Sequence, residues 1–316
     1  MKVANKYIFD IKPYVPGKPI ADVKRELGLK SVIKLASNEN PYPPSRKVLA
    51  AMSKALLTVN RYPDGGCVML RQALAKFLKV NENQLIFGNG SDEIIVVAVK
   101  AFVAHGDEVI IAKPSFLVYD IAARLAGAKI HAIPLKGFHY DLEGMKAKLS
   151  SRTKIVFMGN PDNPAGTYIN LKQLDNFIKA ASKDTLIFID EAYFEYVHAA
   201  DYPDSLALIK KYSNVMVTRT FSKMYGLAGL RIGYGIARPE IIDILNRLRE
   251  PFNVNSIAQA AAVAVLADQP YYKKIARDVE VERRYLYRSL TGLNVHYEES
   301  CTNFILINFK ICKKQI

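Results

Sequence analysis

The middle of the chain carries the most regular pattern of apolar and polar positions. Short runs rich in Ile, Val and Phe recur at 85–87, 108–112, 154–159, 186–190, 215–221 and 231–236. They are almost continuously apolar rather than alternating, as expected of strands buried on both faces. Amphipathic stretches at 92–104, 116–127, 171–181 and 239–248 lie between them. Strand and helix alternating in this way predict an α/β fold, a mostly parallel sheet with helices on both faces. Such sheets place ligands beyond the carboxyl ends of their strands, which makes the residues just after each run the first candidates for chemistry.

The flanks follow other patterns. Residues 1–45 contain Pro13, Pro16, Pro19, Pro41, Pro43 and Pro44 and predict an extended arm. The large domain is expected over 46–250. Beyond Pro251 a small-residue helix (256–267), a longer charged helix (271–290) and two strands (295–298 and 303–309) predict a smaller α+β domain over 251–316. That domain reads as incomplete, because 303–309 is followed only by 310–316, with nothing left to pair against it.

Composition narrows the class. Half of the 316 residues are apolar and 23% are charged, enough to bury a core without staples. The three cysteines, Cys67, Cys301 and Cys312, are odd in number and widely spaced, which suits neither disulfides nor a zinc site and favours a reducing, cytoplasmic compartment. The opening MKVANKYIFDIKPY has no apolar core of a secretory leader, and the greasiest stretch, 94–104, is short and broken by Lys100; no membrane partner is expected. The 44 basic residues outnumber the 30 acidic ones, for a formal charge of +14. Adjacent basic pairs occur, among them Lys210–Lys211, Lys273–Lys274, Arg283–Arg284 and Lys313–Lys314, but no run exceeds two and no stripe is interleaved with aromatics. Scattered charge of this kind predicts a solvated surface suited to small anions rather than a nucleic-acid partner.

Four constellations sit at strand ends. Gly88-Asn89-Gly90-Ser91-Asp92 separates a strand from a helix. It reads either as a phosphate cradle at a helix N-terminus or simply as a capped helix start. Asn160-Pro161-Asp162-Asn163-Pro164-Ala165-Gly166 is a loop by its prolines and glycine, whether or not it aims an amide into the crevice. Asp190-Glu191-Ala192-Tyr193 closes a buried strand, where a carboxylate needs a cation or a donor; a helix cap is the plainer alternative. Thr220-Phe221-Ser222-Lys223 precedes Gly226-Leu227-Ala228-Gly229-Leu230-Arg231. Lysine at a strand end, with serine and arginine near it, suits Schiff-base chemistry beside a phosphate, provided its pKa is lowered.

Taken in order, these motifs resemble the fold-type I pyridoxal-phosphate aminotransferases, most closely the histidinol-phosphate aminotransferase family. Ala36-Ser37-Asn38-Glu39-Asn40-Pro41, Arg61-Tyr62-Pro63-Asp64 and Phe252-Asn253-Val254-Asn255 extend the similarity from about Tyr14 to Phe309. The resemblance implies pyridoxal 5′-phosphate as cofactor and no metal. Lys223 would join the cofactor's aldehyde carbon and then shuttle a proton between it and the substrate Cα. Asp190 would pair with the ring nitrogen, Asn163 and Tyr193 with the 3′-oxygen, and Phe116 would stack on the ring, where many relatives have Tyr. Ser91, Asp92, Ser222 and Arg231 would hold the phosphate, with Tyr62 reaching in from a partner subunit of a homodimer. Tyr14 and Asn38 fall where the family's arm meets substrate.

The implied reaction is transamination of L-histidinol phosphate with 2-oxoglutarate in histidine biosynthesis. Relatives with the same motifs act as aromatic amino-acid transaminases or threonine-phosphate decarboxylases. One departure stands out: the family's small domain continues to an arginine that grips the substrate carboxylate, and no residue here corresponds to it. That predicts cofactor binding preserved better than turnover, with a catalytically impaired cofactor-binding protein as the extreme case.

Overall fold

The structure, a computed structural model, describes residues 5–14 and 17–309; Pro16, Cys312 and the Lys313–Lys314 pair lie outside the described residues. The elements run α1 (Ile20–Leu27), α2 (Arg46–Leu56), α3 (Val68–Leu78), β1 (Leu85–Gly88), α4 (Ser91–Phe102), β2 (Glu108–Lys113), α5 (Leu117–Leu125) and β3 (Lys129–Pro134). There follow α6 (Leu142–Lys146), β4 (Thr153–Gly159), α7 (Leu171–Ala180), β5 (Leu186–Asp190), α8 (Ser205–Lys211), β6 (Val215–Thr220) and β7 (Gly233–Ala237). The chain then forms α9 (Pro239–Asn246), α10 (Ser256–Leu266), α11 (Gln269–Gly292), β8 (His296–Tyr297) and β9 (Ile307–Asn308).

Among the described residues seven strands form one sheet in the order β1-β7-β6-β5-β4-β2-β3. All neighbours are parallel except β7, which runs antiparallel to both β1 and β6. The mostly parallel α/β architecture expected from the apolar runs is therefore present, and each run lies within two residues of a strand.

Strand alternation divides the core in two. Ile187, Ile189, Val215 and Val217 face a cluster that includes Leu174 of α7, Leu208 of α8 and Ala262 of α10. Leu186, Phe188 and Met216 face the opposite cluster, with Ile94 of α4, Tyr119 of α5 and Ile242 of α9. Each such side chain, fully buried, contributes roughly 1.5–3 kcal/mol. Local sequence fixes the helix ends: Asn170 and Gln173 form a capping box on α7, and Asn255 accepts from Ala258 N at 2.8 Å to start α10.

The structure corrects three expectations. The arm is not extended throughout, because 20–27 is free of proline and forms α1, closed by Gly28 in the left-handed region at φ +64°. A strand absent from the sequence reading, β3, lies at the sheet edge; half-exposed there, it needs no apolar run. The segment 303–309 does find a partner, since β9 pairs antiparallel with β8, Tyr297 opposite Ile307. α10 packs against both α2 and α3.

Candidate active site

The carboxyl ends of β4, β5 and β6 and the N-terminus of α4 open on one cleft of about 400 Å³, within the size range of small-ligand sites. Nine of the residues singled out in the sequence line it: Ser91, Asp92, Phe116, Asn163, Asp190, Tyr193, Ser222, Lys223 and Arg231.

Asp190 ends β5 and is 5% exposed. Burial pushes its carboxyl up to about 6, against the hydrogen bonds it accepts from Tyr119 and Thr218. Tyr119 Oη donates to Oδ2 at 2.8 Å, and Thr218 Oγ1 to Oδ1 at 3.3 Å. A buried carboxylate still raised despite these donors and the Ala192 main-chain N–H lacks a countercharge, and a protonated ring nitrogen would supply one. Tyr119 and Thr218 escaped the sequence reading. Tyr119 stands one helical turn after Phe116, and Thr218 pairs in register with Asp190.

Lys223 follows β6 and is half-buried. Burial lowers its pKa and Arg231 adds to the lowering, against Glu39, Asp92 and Asp190, which raise it. Its Nζ donates to Ser37 O at 2.9 Å and stands 5.5 Å from the centre of the Tyr193 ring. Ser37 and Asn38 both adopt positive φ, +73° and +50°. This uncommon backbone presents the Ser37 carbonyl to Lys223 and the Asn38 amide to Tyr193 Oη at 3.2 Å. Asn163 Nδ2 reaches the same oxygen at 3.4 Å. The Tyr193 hydroxyl thus accepts two amides and keeps its proton to donate; burial pushes its pKa up to about 12. Of the loop asparagines, Asn163 faces the cleft, whereas Asn160 closes the loop through both main-chain polar groups of Ile169.

At the other end, Arg231 adopts φ +55° and lays its guanidinium over Gly90, itself at φ +81°. A Cβ on Gly90 would run into Arg231 Nη2, and one on Gly233 would lie 2.6 Å from Ser91 N. These contacts leave no room for larger residues where the α4 N-terminus meets Arg231. Free N–H groups at the start of α4, the Ser91 and Ser222 hydroxyls and Arg231 make a donor set matched to a phosphate. Asp92 holds Arg231 Nη2 at 3.2 Å. Together the two ends fit pyridoxal phosphate.

Two predicted site residues lie away from the cleft of their own chain. Tyr62 is 83% exposed and stacks on Phe252 with centroids 4.8 Å apart, and Tyr14 is 70% exposed. Asn38 reaches the cleft through Tyr193.

Fold and site together define a pyridoxal-phosphate-dependent aminotransferase. The family model described as "Aminotransferase class I and II" matches residues 30–310. A histidinol-phosphate aminotransferase of Moorella thermoacetica is 47% identical over 98% of this chain and 80% of its own length. One of Anaeromyxobacter sp. is also 47% identical, over 98% and 85%. Among solved structures, the histidinol-phosphate aminotransferase of Sinorhizobium meliloti, in complex with pyridoxal-5′-phosphate, superposes with a TM-score of 0.88 at 29% identity, covering 96% of this chain and 82% of that one. The chain belongs to the class I and II aminotransferases and, within them, to the histidinol-phosphate aminotransferase family. Among the described residues no helix is long and apolar enough to cross a membrane.

Proposed function

We propose that the chain transfers the amino group of L-histidinol phosphate to 2-oxoglutarate, the reaction for which its relatives are named. The observation that carries the mechanism is that Lys223, its pKa lowered by burial, and the buried Asp190 open on one cleft with Arg231 at its end.

Pyridoxal 5′-phosphate, when bound, supplies a protonated heterocycle that takes up the electron pair left on the substrate Cα. Asp190 would hold the proton on the ring nitrogen, Tyr193 and Asn163 would hydrogen-bond the 3′-oxygen, and Phe116 would cover a ring face. The Ser91 and Ser222 hydroxyls, the free N–H groups at the start of α4 and Arg231 would anchor the phosphate, with the Asp92 carboxylate holding Arg231, so the ring would stay fixed while the substrate turns over. Lys223, its pKa lowered by burial, would bind the cofactor's aldehyde carbon, and its amine would carry the proton between that carbon and the substrate Cα. Asn38, which reaches the cleft through Tyr193, would meet the substrate there.

Tyr62, exposed on its own chain, completes the site of a second copy, so the working unit is a homodimer with twofold symmetry. Ile33, Leu35 and Leu57, each more than 80% exposed, give that copy an apolar surface to cover. The free thiols of Cys67 and Cys301 suit a reducing cytoplasm.

The test is a donor panel. Cofactor-loaded protein is mixed with L-histidinol phosphate, phenylalanine or threonine phosphate, and loss of the bound cofactor's visible absorbance is followed. Glutamate formation from 2-oxoglutarate then reports turnover. The fastest loss with L-histidinol phosphate is expected. Faster loss with another donor overturns the substrate assignment, and loss with none overturns the activity.

A further inference from the structure

Strand alternation gives Asp190, Thr218 and Thr220 to the side of the sheet that holds the cleft. It sends their neighbours Glu191 and Arg219 to the other side. There the two meet: Arg219 Nε donates to Glu191 Oε2 at 2.8 Å, with the side chains 5% and 0% exposed. Burial alone would lower the Arg219 pKa, but Glu191 and Tyr234 outweigh it and raise it above the ordinary value. The guanidinium lies over the Phe194 ring, 3.5 Å from its centre, a cation–π contact made by a buried cation. The second Glu191 oxygen accepts from Ser205 Oγ and lies 3.2 Å from Tyr202 Oη. The Tyr202 hydroxyl also meets the main-chain carbonyl of Asn160.

A buried ion pair of this kind is a poor source of stability, because desolvation offsets most of its attraction. Its placement supplies another reason for it. Glu191 follows the ring-nitrogen partner, Arg219 lies four residues before Lys223, and Asn160 opens the loop that carries Asn163. The pair and its two hydroxyl partners therefore join the ends of β4, β5 and β6 from beneath. A change of length or fork geometry there shifts all three cofactor-holding segments relative to one another.

We infer that Glu191 and Arg219 are positioning residues, a charged clamp under the cleft that sets the spacing of Asn163, Asp190 and Lys223. The inference rests on the cofactor reading given above. Lysine at 219 would keep the charge but lose the planar fork and the stack on Phe194.

The experiment titrates apoprotein with pyridoxal 5′-phosphate and follows the pH midpoint of the bound cofactor's visible absorbance in wild type, Glu191→Gln and Arg219→Lys. Apoprotein melting is recorded alongside. The clamp predicts Kd raised roughly tenfold or more, since sub-ångström misplacement at a site is felt strongly. It also predicts a displaced pH midpoint, which a purely structural role would leave in place. Should either variant fail to fold, Ser205→Ala and Phe194→Leu loosen the clamp more gently and are read the same way. Kd within about twofold of wild type and an unmoved midpoint, in folded variants, overturn the clamp while leaving the cofactor reading intact. Failure of the wild type to bind the cofactor overturns both.

Discussion

The hydroxyl of Tyr119 donates to Asp190 Oδ2 at 2.8 Å, while its ring stacks on Phe157 with centroids 4.6 Å apart and planes 5° from parallel. The stack fixes where the hydroxyl points, and the hydroxyl favours the charged form of the carboxyl. Tyr119→Phe keeps the ring and removes the donor. The Asp190 carboxyl should then rise further above 6, and cofactor affinity should fall about tenfold, as for loss of a hydrogen bond to a charged group. Titration of apoprotein with cofactor at pH 6 and pH 8 measures it; unchanged affinity at both would show that the bond does not tune Asp190.

Gly90 separates strand from helix at the phosphate end, with Arg231 laid across it. Gly90→Ala adds a methyl into the guanidinium and strains φ, a backbone cost on the order of 1 kcal/mol. Affinity for pyridoxal 5′-phosphate should fall about tenfold, the loss expected for a displaced charge-assisted contact. Affinity for pyridoxal, which has no phosphate, should not change. Equal losses for both ligands would argue against the phosphate assignment.

Burial raises the Glu195 carboxyl to about 7, and its Oε2 has no hydrogen-bond partner among the described residues. The folded chain therefore keeps a proton that the unfolded chain, at the ordinary 4.5, releases. Stability from this group is present below about pH 4.5 and is lost as pH rises through 7. Glu195→Gln should melt roughly 2 °C above wild-type apoprotein at pH 8, about the shift of a 1 kcal/mol gain in a chain of this size, with the gain closing toward pH 5. A pH-independent difference would rule out this origin.

Glu108 behaves in the opposite sense. The hydrogen bond from Ser150, with Lys129 and His131 adding to it, outweighs burial and holds its carboxyl down at about 2. Its contribution is present above the ordinary 4.5 and is lost as pH falls through 2. Glu108→Gln should lower the melting temperature at pH 7 by a few degrees, about the scale of one lost charged hydrogen bond. The two melting curves should converge in acid; a constant gap from pH 7 to pH 3 would contradict the assignment.

What the sequence made legible follows burial. The strands facing apolar clusters on both sides announced themselves as unbroken apolar runs, and the motifs after them carried the cleft. β3 did not, because an edge strand with half its side chains in water has no such run. Tyr119 and Thr218 were missed because each meets Asp190 across the fold, from 71 and 28 residues away. Glu191 was in view only as a letter within its motif, and Arg219 only as a position inside the run 215–221. Their pairing follows once β5 and β6 are neighbours and alternation puts both on the face away from the cleft.

The most direct measurement of the role of Lys223 is to load the protein with pyridoxal 5′-phosphate, reduce it with borohydride and map the modified peptide by mass spectrometry. A phosphopyridoxyl group is expected on Lys223, and none after addition of excess L-histidinol phosphate before reduction. Modification of a different lysine, or a Lys223 adduct that the amino donor does not displace, would contradict that role.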